Sequence, residues 1–170
     1  DRVGIRLKDL ESPYRKQFTG LSWYPVDEEY RVEGKWVPYD PPKKLAITNV
    51  LGQTDEQVCP GYVVFSIDHQ DEGRLEPILE SPDSKELFFV FADGTTAETT
   101  YPGGRFLYTE LPVGGTLLLD FNQAYNPPCA FTPYATCPLP PEVNYLKVRI
   151  EAGEQNYGEH YPAPVKHEGN

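Results

Sequence analysis

The sequence predicts an all-β domain, mainly an antiparallel sandwich or small barrel, with at most one short N-terminal helix. Three observations carry that expectation. Apolar and polar residues alternate with period two at 30–37 and again at 146–151, as strands with one buried face do. Asp93-Gly94 sits between two β-prone runs, a hairpin signal because both central turn residues must accept positive φ. Proline and glycine, 18 and 14 of 170 residues, punctuate the chain too often for long helices. The length fits one domain, with 1–157 expected as the β-rich body and 158–170 as a C-terminal tail.

The elements follow in order. Val3, Leu7 and Leu10 share a helical spacing, and Ser12-Pro13 reads as N-cap and first turn. After Gly20 the period becomes two. Tyr30, Val32 and Trp36 alternate with Arg31, Glu33 and Lys35 in a first strand, which Pro38, Pro41 and Pro42 are expected to end. Leu45, Ile47 and Val50 mark a second strand, and Tyr62 to Ile67 a third. Leu87-Phe88-Phe89-Val90-Phe91 is apolar on both faces, so its sheet should be covered on both sides. The Thr-rich run 95–100 reads as its solvent-facing hairpin partner. Strands are expected at 105–110 and 116–121 around the turn 112–115, and a last one where Leu146, Val148 and Ile150 alternate with charged residues.

Charge excludes some partners. Against 26 Asp and Glu stand 15 Lys and Arg, a net charge of −11 that repels phosphate backbones and anionic membrane surfaces. Nucleic acid is therefore not an expected partner. No apolar run approaches the roughly 18 residues of a spanning helix, so no transmembrane segment is expected. The chain begins at Asp1 and lacks Met, which reads as a processed or trimmed product. An exported location, periplasmic or lipid-anchored, is expected ahead of the cytoplasm. No motif names a cofactor. Three Cys without a C-x-x-C pair, and His69, His160 and His167 scattered, do not make a metal site.

One segment does not look like scaffold. Residues 120–141, DFNQAYNPPCAFTPYATCPLPP, follow a strand and hold six prolines, which give a rigid, irregular loop. Asp120, Asn122, Tyr125, Asn126 and Tyr134 place polar groups beside Phe121 and Phe131. Two readings stay open: a pocket for a small polar molecule, or a structural cap whose Asx side chains satisfy turn amides. Cys129 and Cys137 are a disulfide candidate in an oxidising compartment, leaving Cys59 odd, and ordinary buried thiols in a reducing one.

Candidate ligand-binding residues are Arg105, Asp120, Asn122, Tyr125 and Asn126. Gly103-Gly104-Arg105 reads as a tight turn presenting a guanidinium, to clamp an anion or to pair with Asp120. Residues 105 and 120 flank the turn 112–115, so a tight antiparallel pair would bring them together at one sheet end. Asp120 with Glu110 or Glu154 would suit acid–base work or a hard cation. No His adjoins a Cys in these blocks, and no nucleophile elbow or phosphate-cradling loop is present. Three classes follow: a small-molecule-binding module, a hydrolase-like enzyme using a carboxylate or thiol of this loop, and a structural or interaction protein without ligand.

YPGGRFLYTELP at 101–112 and LLLDFNQAYNPPCAFTPYATCPLPPEVNYLKVRIEAGE at 117–154 resemble a bacterial and archaeal family catalogued as domain of unknown function 1684. FTGLSWYPVDEEYRVEG at 18–34 resembles that family's opening block, and the likeness spans residues 12–157. The resemblance implies that Gly103, Gly104, Arg105, Asp120, Asn122, Tyr125, Asn126, Pro127, Cys129, Cys137 and Pro138 belong to the family pattern. It carries over no catalytic residue, because the family has no established activity. The chain departs from the pattern at Cys59 and after Tyr157. Family members without export signals imply that the disulfide is not obligatory.

Overall fold

Two antiparallel sheets share one core in the computed structural model, which describes residues 8–67 and 71–158. Among the described residues, helix is confined to α1 (Pro13–Lys16) and short 3-10 turns. Pro13 opens α1 where its missing N–H would have no partner anyway. Val3 and Leu7 of the expected helix face lie outside the described residues. None of the described helices is long and apolar enough to cross a membrane.

β1 (Arg31–Thr48) corrects the expected strand end. Its prolines do not stop it. The register moves from Pro38 opposite Gly61 to Lys43 opposite Cys59, so residues 39–42 bulge out against Pro60 and the strand resumes. A bulge suits proline because its residues owe no ladder hydrogen bonds. The first and second expected strands are thus halves of one. β2 (Thr54–Ile67) pairs along β1, and β3 (Asp71–Leu75) pairs with β2. β4 (Glu86–Phe91) and β5 (Arg105–Glu110) form the second sheet. β6 (Thr116–Asp120) joins the first half of β1, giving the order β3-β2-β1-β6.

Three further expectations are corrected. Asp93-Gly94 does not start a hairpin with residues 95–100. That run closes on itself: the Thr95 carbonyl accepts from the amides of Glu98, Thr99 and Thr100, and the hydroxyls of Thr95 and Thr100 lie 2.9 Å apart. β4 pairs instead with β5. β5 and β6 do not form a hairpin either, since the turn at 112–115 carries the chain from one sheet to the other. The 146–151 run keeps its alternation, with Ile150 buried and Lys147, Arg149 and Glu151 exposed. It forms no strand, because its backbone is bonded to the 92–94 turn. Leu146 N–H donates to Ala92 O at 2.8 Å, and Gly94 N–H to Val148 O at 2.9 Å.

β4 is covered on both faces, as its unbroken apolar run requires. Leu87, Phe89 and Phe91 pack with Val63, Phe65, Leu75, Leu117, Leu119 and Phe121 in the main core. Phe88 and Val90 face a second cluster with Ile47, Ile78, Phe106 and Cys137, beneath the proline-rich segment. Each large buried side chain contributes roughly 1.5–3 kcal/mol.

Candidate functional site

The five candidate ligand residues are not brought together. Asp120 ends β6, where its carboxylate accepts from Asn122 N at 3.2 Å, Asn122 Nδ2 at 3.0 Å and Gln123 Nε2 at 3.0 Å. Asn122 also staples the chain at Asp27, accepting from its N–H at 3.0 Å and donating to its carbonyl at 2.8 Å. This is the Asx capping expected of a structural role. Asn126 is buried: its N–H donates to Glu154 Oε2 and its Nδ2 to Gln155 O, both at 2.8 Å. Burial pushes the Glu154 carboxyl above the usual range, only partly opposed by those Asn126 hydrogen bonds.

Arg105 pairs with Asp93, not with Asp120. Both side chains are sealed from solvent, with Nη2 2.7 Å from Asp93 Oδ2 and 2.9 Å from Ile150 O. Nη1 donates to Ala152 O, and the guanidinium lies 5.3 Å from the centre of the Phe91 ring. The other Asp93 oxygen accepts from Thr95 N, Thr95 Oγ1 and Ile150 N. The glycine turn therefore presents the guanidinium inward. Gly104 is required there at φ +85°, since a Cβ would stand 2.6 Å from Phe91 O.

A third buried carboxylate serves the bulge of β1. Glu76 accepts from Tyr39 Oη at 2.7 Å and meets Arg74 Nη2 at 2.6 Å and Lys43 Nζ at 2.5 Å. Burial alone would raise its pKa, but the hydrogen bonds from Lys43, Tyr39 and Arg74 leave it below the usual range.

Tyr125 alone of the five lines a cleft of about 560 Å³ beside the second cluster. Three pairings build it. Phe106 and Tyr125 exchange backbone hydrogen bonds at 2.9 and 3.0 Å, holding the segment against β5. Ile78 and Phe88 do the same at 2.9 and 3.1 Å. Val50 N–H to Cys137 O and Leu139 N–H to Thr48 O, at 3.0 and 2.8 Å, strap the far end of the segment to β1. Phe88, Phe106, Tyr108 and Tyr125 form an aromatic wall. The Tyr108 and Tyr125 rings are nearly parallel, at 12° with centroids 6.5 Å apart. Asp55, Gln57 and Glu80 line it too, and among the described residues no Lys, Arg or His does. Tyr108 donates to Glu80 Oε2 at 2.8 Å. Burial, then the nearby Glu80 carboxylate, raises the pKa of both tyrosines.

The cysteines divide as two and one. Cys129 N–H donates to Cys137 Sγ at 3.1 Å. The bonds from Cys137 and from Tyr101 bring the Cys129 thiol down to about 7, while Cys137 holds its proton more tightly than usual. Cys59 lies opposite Lys43 in the β1–β2 ladder, its thiol donating to Gly61 O at 3.1 Å and pushed up to about 11 by burial.

Comparison with known proteins now places the chain. The family described as "Protein of unknown function (DUF1684)" matches residues 16–155. The chain belongs to the DUF1684 family. The solution NMR structure of the uncharacterized protein from gene locus rrnAC0354 of Haloarcula marismortui is similar to it, at 33% identity and a TM-score of 0.69. The match covers 86% of this chain and 81% of that one. None of the curated proteins matches.

In this DUF1684 chain, sequence reasoning passed over the cleft's other walls. Phe88, Phe106 and Tyr108 read as plain core because they sit in apolar runs. Asp55 and Glu80 carry no local signal, since only the sheet topology brings them to Tyr125. The usable clue was the odd-numbered alternation Asp55, Gln57 and Cys59 on one face of β2.

Proposed function

We propose that this protein binds a small molecule in the cleft between the aromatic wall and residues 125–138, and that the ligand is a small organic cation. One observation supports the reading: four aromatic residues and two carboxylates line the cleft, with no basic residue among the described lining residues. Ring faces and carboxylates both attract an ammonium group, and the aromatic contribution grows from about 0.5–1 kcal/mol when exposed to about 2 when desolvated. The cleft volume lies within the roughly 300–1,000 Å³ of small-molecule sites.

The test is thermal stabilisation by tetramethylammonium and benzyltrimethylammonium, against uncharged tert-butyl analogues. The cations should raise Tm with concentration, as a ligand of the folded state does, and the analogues should not. Tyr125→Leu and Glu80→Gln should remove the shift, whereas Asn122→Ala, which does not line the cleft, should keep it. Equal shifts from charged and uncharged compounds, or none from either, would end this reading.

A further inference from the structure

Residues 128–138 carry a chemistry the cleft does not use. Cys129 is half-buried and Cys137 buried, and the Cys129 amide donates to the Cys137 sulfur at 3.1 Å, which brings the two residues together. The prolines on either side hold this approach rigidly. Pro128, Thr136 and Pro138, the sequence neighbours of the two cysteines, line the cleft.

We propose that Cys129 and Cys137 are a reversible dithiol–disulfide pair, Cys129 the entering sulfur and Cys137 the resolving one, whose bond fixes this wall of the cleft. The partner is a low-molecular-weight disulfide. The Cys129 thiolate attacks one of its sulfurs, forming a mixed disulfide and releasing the first small thiolate. Cys137 then loses its proton, and its sulfur attacks Cys129 Sγ, releasing the second. The two cysteines lose two electrons, the small disulfide gains them, and two protons leave with its two thiols. Reversal by excess small thiol restores the dithiol.

The order of attack follows from exposure and hydrogen bonding. Cys129 is the half-buried residue of the two and the one whose thiolate is stabilised; Cys137 is buried and keeps its proton until Cys129 has reacted. Cys59 takes no part, being buried on β2 with a thiol raised to about 11.

The full chain incubated at rising ratios of oxidised to reduced glutathione, then acid-quenched, alkylated and mapped by mass spectrometry, decides the matter. Wild type should pass from three alkylated cysteines to Cys59 alone, with a Cys129–Cys137 disulfide. Cys137→Ser should stop at one glutathione on Cys129, and Cys137→Ala repeats that test with a different replacement. Cys129→Ser should take none on Cys137. Alkylation of Cys129 by iodoacetamide should rise about tenfold from pH 6 to pH 8, against nearly a hundredfold for a thiol of ordinary pKa. Amide exchange at 128–138 should slow on oxidation. Three alkylated cysteines at every ratio, a disulfide to Cys59, or glutathione entering at Cys137 would overturn the proposal. None of these readouts depends on what the cleft binds.

Discussion

At the scale of single residues, the buried charges are the most consequential groups. Arg105 delivers hydrogen bonds to Asp93 Oδ2, Ile150 O and Ala152 O from one planar fork. A lysine ammonium has neither the plane nor the reach. Arg105→Lys should therefore cost about 3–5 kcal/mol, the toll of an uncompensated buried charge, in urea unfolding. Glu76 and Glu154 make opposite contributions to acid stability. The Glu76 pKa is depressed, so its contribution is present above the unfolded value of 4.5 and is lost as pH falls through the folded value. The Glu154 pKa is raised, so the folded state binds the extra proton and stability declines as pH rises above 4.5. Urea midpoints followed from pH 3 to 7 should show Glu76→Gln weakening acid sensitivity. In the same series Glu154→Gln should remove a loss on the way to neutrality.

At the scale of elements, Asn122 joins two distant pieces of chain. Its side chain satisfies both the N–H and the carbonyl of Asp27, so Asn122→Ala releases the entry to β1 from the end of β6. The bonds are partly exposed, and the expected loss is about 1 kcal/mol per bond in chemical denaturation, with no change at the cleft. The elements also mark how far sequence reasoning reached. Period-two alternation located the first half of β1, because a strand with one buried face must write that pattern, but the same alternation at 146–151 belongs to no strand. Proline misled at residues 38–42, since its local veto on pairing is lifted wherever the register slips. Asp93-Gly94 misled because the aspartate serves Arg105 and Thr95, a demand set by residues far along the chain. For the site, Tyr125 was legible from the proline-rich segment around it. Asp55, Glu80 and Phe88 were not, since nothing local distinguishes a cleft wall from an exposed or buried strand residue.

At the scale of the molecule, the shared core couples the two sheets. Phe89 and Phe91 of β4 pack with Phe65 of β2 and Leu119 of β6, so neither sheet keeps a dry face without the other. Unfolding should be a single transition, with far-UV and near-UV circular dichroism superimposing along a urea titration. Separate midpoints would mean that the sheets are independent. Beyond the bulge at 39–42, β1 and β2 continue as a two-stranded ribbon, residues 43–48 against 54–59, outside the ladders that β3 and β6 add. Its side chains reach the cleft at Ile47, Asn49, Asp55 and Gln57. Because a strand repeats every two residues, paired insertions or deletions of two per arm leave every inward side chain facing inward. Descent with modification thus has a place to act: the depth of the cleft should vary among relatives in steps of two residues per arm, while the register of the core sheets is inherited unchanged.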